Sequence, residues 1–226
     1  MDEYALKVSE YENFNAFFYR TLKPGARPIA GRDEPSWACQ PCDCRLVVFP
    51  RIEEAQKLWI KGTNFTLANL LGDRELAQHF EGGSISVHRL APQDYHRFHL
   101  PTDGSTIIKR TLLGDKYWTV NPVAVNVVDV FTENKRVVSV IDTVKFGKVA
   151  YISVGAHMVA SIQFTMPESA TGNKGDDYGY FQFGGSTVVC VWEKGAITFD
   201  ADLVERSQGS TETLVQMGQT LGVSAR

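Results

Sequence analysis

The stretch Phe181–Val189, FQFGGSTVV, constrains this chain most. Aromatic and β-branched residues surround two adjacent glycines, which give a strand nothing to pack. Glycines inside a strand pattern mark a bulge, a sharp bend or a close backbone approach. Ser186 follows directly, so its hydroxyl sits where the backbone can be strained and closely approached. Two readings stand side by side. One is a hairpin or bulge without chemistry. The other is a serine that attacks the carbonyl before it, which requires a base and an acid to orient that base.

The chain has 226 residues, of which 43% are hydrophobic and 22% charged, an ordinary globular composition for one large domain or two small ones. A formal net charge of −3 supplies no field that would recruit nucleic acid. No apolar run reaches membrane-spanning length, and Met1–Tyr4 opens without a signal-peptide pattern. Membrane contact is therefore expected to be peripheral, and no residue pattern points to a compartment. Cys39, Cys42 and Cys44 fall as C-x-x-C-x-C, with Cys190 far away. Four cysteines are few for a disulfide scaffold, so a reducing compartment is the simpler assumption. Zinc takes four ligands, and no histidine lies at knuckle spacing, so no metal site is expected.

Along the chain, Phe14, Phe17 and Phe18 share a helical face, either a core helix or a membrane-surface one. Leu22–Ile29 reads as an extended, proline-punctuated segment with Lys23 and Arg27 as solvated surface. Helices are expected over Phe65–Leu71, Asp73–Phe80 (capped by Asp73), Asp202–Ser207 and Glu212–Leu221. Strands are expected at Arg45–Pro50, Lys57–Gly62, Ser105–Leu113, Tyr117–Val120, Val123–Phe131, Arg136–Thr143, Lys148–Val154 and Val188–Glu193. Residues 167–180 read as a loop. The pattern is α+β and β-rich: a single domain over residues 1–226 of antiparallel or mixed sheets with short peripheral helices.

Tyr95–Pro101, YHRFHLP, holds the second chemical signal. His96 and His99 would point to opposite faces of a strand or share one face of a helical turn. Histidine is the natural base near neutral pH, and a structural hydrogen-bonding pair is the alternative. Arg97 between them could meet a carboxylate or phosphate, or serve structure alone. His157, beside Gly155–Ala156, could line a site or simply pack.

Taken together, these blocks resemble the phosphatidylserine decarboxylase family over nearly the whole chain, from FNAFFYRTLKPGARPI (Phe14–Ile29) to ETLVQMGQTLGVS (Glu212–Ser224). FGGST at Phe183–Thr187 resembles the family's self-cleavage motif in its fungal and plant form. YHRFHLP resembles its two-histidine motif. KGTNFTLANLLG (Lys61–Gly72) and TVNPVAV (Thr119–Val125) resemble further blocks.

The resemblance implies a carboxy-lyase made by self-processing. Its Asp–His–Ser triad would be Asp43, His99 and Ser186, with His99 as base and Asp43 fixing its tautomer. Cleavage between Gly185 and Ser186 would give fragments 1–185 and 186–226 that stay associated, with a covalent pyruvoyl group formed from Ser186. That cofactor would decarboxylate phosphatidylserine, held in a membrane surface, to phosphatidylethanolamine and CO2 through a Schiff base. His96 would assist decarboxylation and protonation, with Arg97 and His157 as weaker substrate-binding candidates. Dimerisation is suggested by the resemblance alone. Two departures stand out. The family's PADG is here Pro41-Cys42-Asp43-Cys44, which would strain Cys44 if the replaced glycine has positive φ. The family's VGAT-x-VGSI is here VGAHMVASI, Val154–Ile162, with His157 and Ala160 in place of smaller residues. That change leaves a free amino acid such as tryptophan as an alternative substrate. A lipid-binding homologue that never cleaves is the second alternative.

Overall fold

The structure is a computed structural model that describes residues 2–58, 65–120, 129–156, 161–183 and 186–226. Its centre is an eight-stranded sheet. In spatial order the strands are β13 (Thr213–Val215), β2 (Cys44–Phe49), β3 (Ser84–Leu90), β11 (Ser186–Trp192), β7 (Gly147–Gly155), β6 (Arg136–Thr143), β5 (Ser105–Leu113) and β9 (Thr171–Gly172). Every strand pair in the described sheets is antiparallel.

Strand β11 lies in the middle. It pairs along its full length with β3 on one side and with β7 on the other, and all seven of its residues are buried. A strand covered on both faces can be apolar at every position, which explains the unbroken STVVCVW run. Val188, Cys190 and Trp192 pack into one core, and Val189 and Val191 into a second on the opposite face. Helix α1 (Phe14–Phe18) precedes the sheet in the chain, and the second core is closed by four further short helices: α2 (Ile52–Leu58), α3 (Leu67–Leu71), α4 (Arg74–His79) and α5 (Val130–Glu133). The first is closed by helix α6 (Ala201–Gln208) and two three-stranded sheets. One is ordered β1 (Trp37–Cys39), β14 (Thr220–Ser224), β12 (Ile197–Phe199). The other is ordered β4 (Arg97–His99), β10 (Asp177–Phe181), β8 (Ile162–Phe164).

The helix Asp73–Phe80 forms as its cap predicts, with the Asp73 carboxylate accepting from Leu76 N at 3.0 Å. The helix expected over Glu212–Leu221 does not form. Gly218 takes φ 88°, a left-handed turn between β13 and β14. Within β13 the burial alternates with period two: Thr213 and Val215 are inside and Leu214 is 70% exposed. The helical spacing of Leu214, Met217 and Leu221 is thus coincidental.

The strand expected at Lys57–Gly62 begins inside α2, and residues 59–64 lie outside the described set. Tyr117–Val120 is not a strand. It is held by the Asn134 side chain, which accepts from Trp118 N and donates to Trp118 O, each at 2.8 Å. Of Val123–Phe131, residues 123–128 lie outside the described set and Val130–Phe131 begin a helix. The loop expected over 167–180 contains β9 and most of β10. FQFGGSTVV is neither a hairpin nor one strand. Its first residue ends β10 in a small sheet, and Ser186 opens β11 in the large one.

Candidate active site

Ser186 is anchored before any chemistry is considered. As the first residue of β11 it lies opposite Leu90 and Gly155, and it is fully buried. Its Oγ is 3.0 Å from His96 Nδ1, and His96 Nε2 is 2.9 Å from the Ala91 carbonyl oxygen. A carbonyl only accepts, so Nε2 carries the proton and donates to it. Nδ1 therefore holds a lone pair and accepts the Ser186 hydroxyl. Phe18 stacks on the imidazole with ring centroids 3.8 Å apart, which fixes the ring plane. Burial lowers the His96 pKa from 6.5 to about 3, so the ring is neutral and free to take a proton.

His99 faces elsewhere. Its Nδ1 donates to the Gly175 carbonyl at 2.9 Å, and its Nε2 accepts from the Tyr95 hydroxyl at 3.0 Å. Burial lowers its pKa as well. His96 precedes β4 and His99 ends it, so the short strand sends the two rings to different partners. Asp43 likewise binds neither histidine ring. Its Oδ2 accepts from Arg27 Nη2 at 2.7 Å, and its Oδ1 accepts from Arg27 Nε at 3.3 Å and from Met217 N at 2.8 Å. Arg27 is buried and ion-paired, not the solvated surface residue that its extended segment suggested. Burial opposes its charge, but the bonds it donates to Asp43 and Glu3 outweigh that and raise its pKa. The loop bearing Asp43 is tied to His99 through the backbone, His99 N donating to Pro41 O at 2.8 Å.

Cys44 carries no backbone strain. Among the described residues the non-glycine positive φ angles belong to Ser169 and Ser210, and Cys44 is an ordinary first residue of β2. Arg97 forms a clasp: Nη1 to Asp177 at 2.6 Å, Nε to the Tyr19 carbonyl at 3.0 Å, and its guanidinium over the Tyr180 ring. Gly185 and His157 lie outside the described residues.

Two clefts flank these groups. One, of ≈ 360 Å³, is lined by Arg27, Tyr95, His99, Gly175 and Met217 among others. The other, also ≈ 360 Å³, is aromatic, with Phe14, Phe17 and Phe18 beside Arg20 and Pro92. Phe18 thus forms part of the wall of this cleft while stacking on His96. Sequence reasoning missed Tyr95, Arg27 and the Ala91 and Gly175 carbonyls. Tyr95 had a signal, standing four residues before His99 in one motif; backbone carbonyls have none.

A buried serine bonded to the bare nitrogen of a tautomer-locked histidine has the arrangement that a nucleophile and its base require. The comparisons name the family. The model for phosphatidylserine decarboxylase matches residues 14–223. The chain is 50% identical to phosphatidylserine decarboxylase proenzyme 2 of Oryza sativa subsp. japonica, covering 100% of this chain and 36% of the relative. It is 48% identical to proenzyme 3 of Schizosaccharomyces pombe, covering 98% of this chain and 23% of the relative. It is 40% identical to the proenzyme of Fusobacterium nucleatum, covering 98% of this chain and 73% of the relative. The chain belongs to the phosphatidylserine decarboxylase family. It spans little more than a third of the rice relative and about a quarter of the yeast one.

Proposed function

We propose that this chain cuts itself between Gly185 and Ser186 and then decarboxylates phosphatidylserine. The observation that carries the reading is the Ser186 Oγ–His96 Nδ1 bond, with the tautomer set by Ala91. Ser186 Oγ attacks the Gly185 carbonyl carbon as its proton passes to His96 Nδ1, so an ester replaces the peptide. Removal of the Ser186 α-proton then expels the Gly185 carboxylate. Addition of water and loss of ammonia leave a pyruvoyl group on the new N-terminus. The fragments are residues 1–185 and the remaining 226 − 185 = 41 residues. The group fits the site: it is built from Ser186 itself, in a buried position with a neutral imidazole 3.0 Å away.

Once formed, the group supplies an electron sink for loss of CO2 from an amine-bearing substrate. His96 remains within reach to hold the proton destined for the former α-carbon. Family resemblance gives His99 the role of processing base. To fill it, the ring would have to leave both Tyr95 and Gly175, so the geometry favours His96 for both steps. The aromatic cleft behind His96 supports a lipid substrate, since Phe14 is 62% and Phe183 43% exposed beside it. None of the described helices is long and apolar enough to cross a membrane.

Intact mass and a denaturing gel test the first step. Two fragments are expected from the wild type and one uncut species from Ser186→Ala. A wild-type chain that stays whole after long incubation overturns the reading. His96→Ala should stay uncut while His99→Ala still processes; the reverse outcome returns the base to His99. CO2 release from phosphatidylserine vesicles, compared with free tryptophan and serine, tests the substrate.

A further inference from the structure

We infer that Cys42, Cys44 and His88 form a buried zinc site that clamps the loop carrying Asp43. Their ligand atoms lie within 4.8 Å of one another, and all three residues are fully buried. The cysteine triplet is short of ligands along the sequence. The fold makes up the deficit by laying β3 beside β2, with Leu46 opposite His88, which puts His88 and Cys44 on one face of the large sheet.

The spacing suits a tetrahedral ion. With Zn–S about 2.3 Å and Zn–N about 2.05 Å, tetrahedral geometry separates sulfur and nitrogen by about 3.6 Å. Cys44 Sγ and His88 Nδ1 are 3.6 Å apart. The imidazole is also held by its other nitrogen. Its Nε2 is 3.1 Å from Ser86 Oγ, which accepts from Trp192 Nε1 at 3.3 Å. With Nε2 bonded to Ser86, Nδ1 is the ring nitrogen that faces the Cys44 thiol. A ligating histidine held by a bond from its other nitrogen is the arrangement found at metal sites.

Charge selects the ion. Zn2+ with two thiolates is neutral, so the core gains no net charge, and binding releases the two thiol protons. Cys190 lies opposite Ser86 in the next strand and packs in the same core as both cysteines. Asp43 sits between the two cysteines and faces the other way, toward Arg27. A metal gripping both of its neighbours would fix the carboxylate without touching it. This inference stands independently of the proposed reaction.

The test is metal content of the full chain, purified under reducing conditions from zinc-replete culture. About one zinc per chain is expected. Protein expressed with cobalt should show thiolate-to-cobalt charge transfer and tetrahedral visible bands. Cys44→Ala and His88→Phe should each lose bound metal at least tenfold, the scale that loss of an outer-shell partner alone can reach. Cys39→Ser should keep it, since Cys39 Sγ points at the Leu100 carbonyl. Circular dichroism identifies variants that fold, and wild-type protein supplies the answer if none does. Metal-free wild type with four alkylatable thiols, or cobalt without sulfur charge transfer, overturns the site.

Discussion

Burial of His96 makes a quantitative prediction about stability and pH. The ring titrates near 6.5 in an unfolded chain and near 3 in the fold, because burial disfavours the imidazolium. Above pH 7 both states hold it neutral, and it adds nothing to the pH dependence. As pH falls below 6.5 the unfolded chain binds a proton that the native ring refuses, so the native state loses ground until about pH 3. At pH 5 the lost stability is 1.36 × log[(1 + 10^1.5)/(1 + 10^−2)], about 2 kcal/mol from this residue alone. The experiment compares Ser186→Ala with Ser186→Ala/His96→Gln, so that neither chain is cut. Urea unfolding at pH 7 and pH 5 gives four free energies. Other titrating groups affect both chains alike, so the single variant should lose about 2 kcal/mol more than the double between the two pH values. Superimposable pH profiles would refute the claim that His96 is buried neutral.

Other outcomes follow from the same contacts. Arg27→Met strands the Asp43 carboxylate, 13% exposed, with one backbone donor; breaking such a pair should destabilise by about 3–5 kcal/mol in urea titration. Tyr95→Phe removes the hydroxyl bond to His99 Nε2 and should change the self-cleavage rate less than threefold, while His96→Ala stops it; a quench-flow or gel time course reads both. Phe14→Ser with Phe183→Ser should weaken flotation with phosphatidylserine vesicles severalfold and leave the urea midpoint nearly unchanged, since both rings are already substantially exposed.

The motifs were legible because chemistry leaves residue-type signals at short spacing. Ser186 and the His96–His99 pair stood out for that reason, as did Asp73 as a cap. Which histidine meets the serine was not legible. It depends on a three-residue strand, β4, whose direction is set by pairing with β10 some eighty residues away. The Arg27–Asp43 pair joins positions 16 apart through an irregular segment with no period to read. At 212–221, Gly218 was the local sign that a helix must stop, and the apolar spacing masked it. His88 was invisible as a partner for Cys44 until strand register brought β2 and β3 together.

The place of Ser186 explains why a chain cut at that point would stay in one piece. The 41-residue fragment would contain β11, held by hydrogen-bond ladders to β3 and β7 over all seven residues. It would also contain β12, α6, β13 and β14, with β13 paired to β2 and β14 paired to β1. Every side chain of β11 is buried, so pulling the fragment out exposes both cores at once. Release therefore requires global unfolding, and the fold must already exist before Ser186 meets His96, which stands just before a strand of a different sheet. Cut protein should elute as one particle in size exclusion, and its fragments should separate only at the urea midpoint of secondary-structure loss. Fragments that part well below that midpoint would show that β11 does not hold them together.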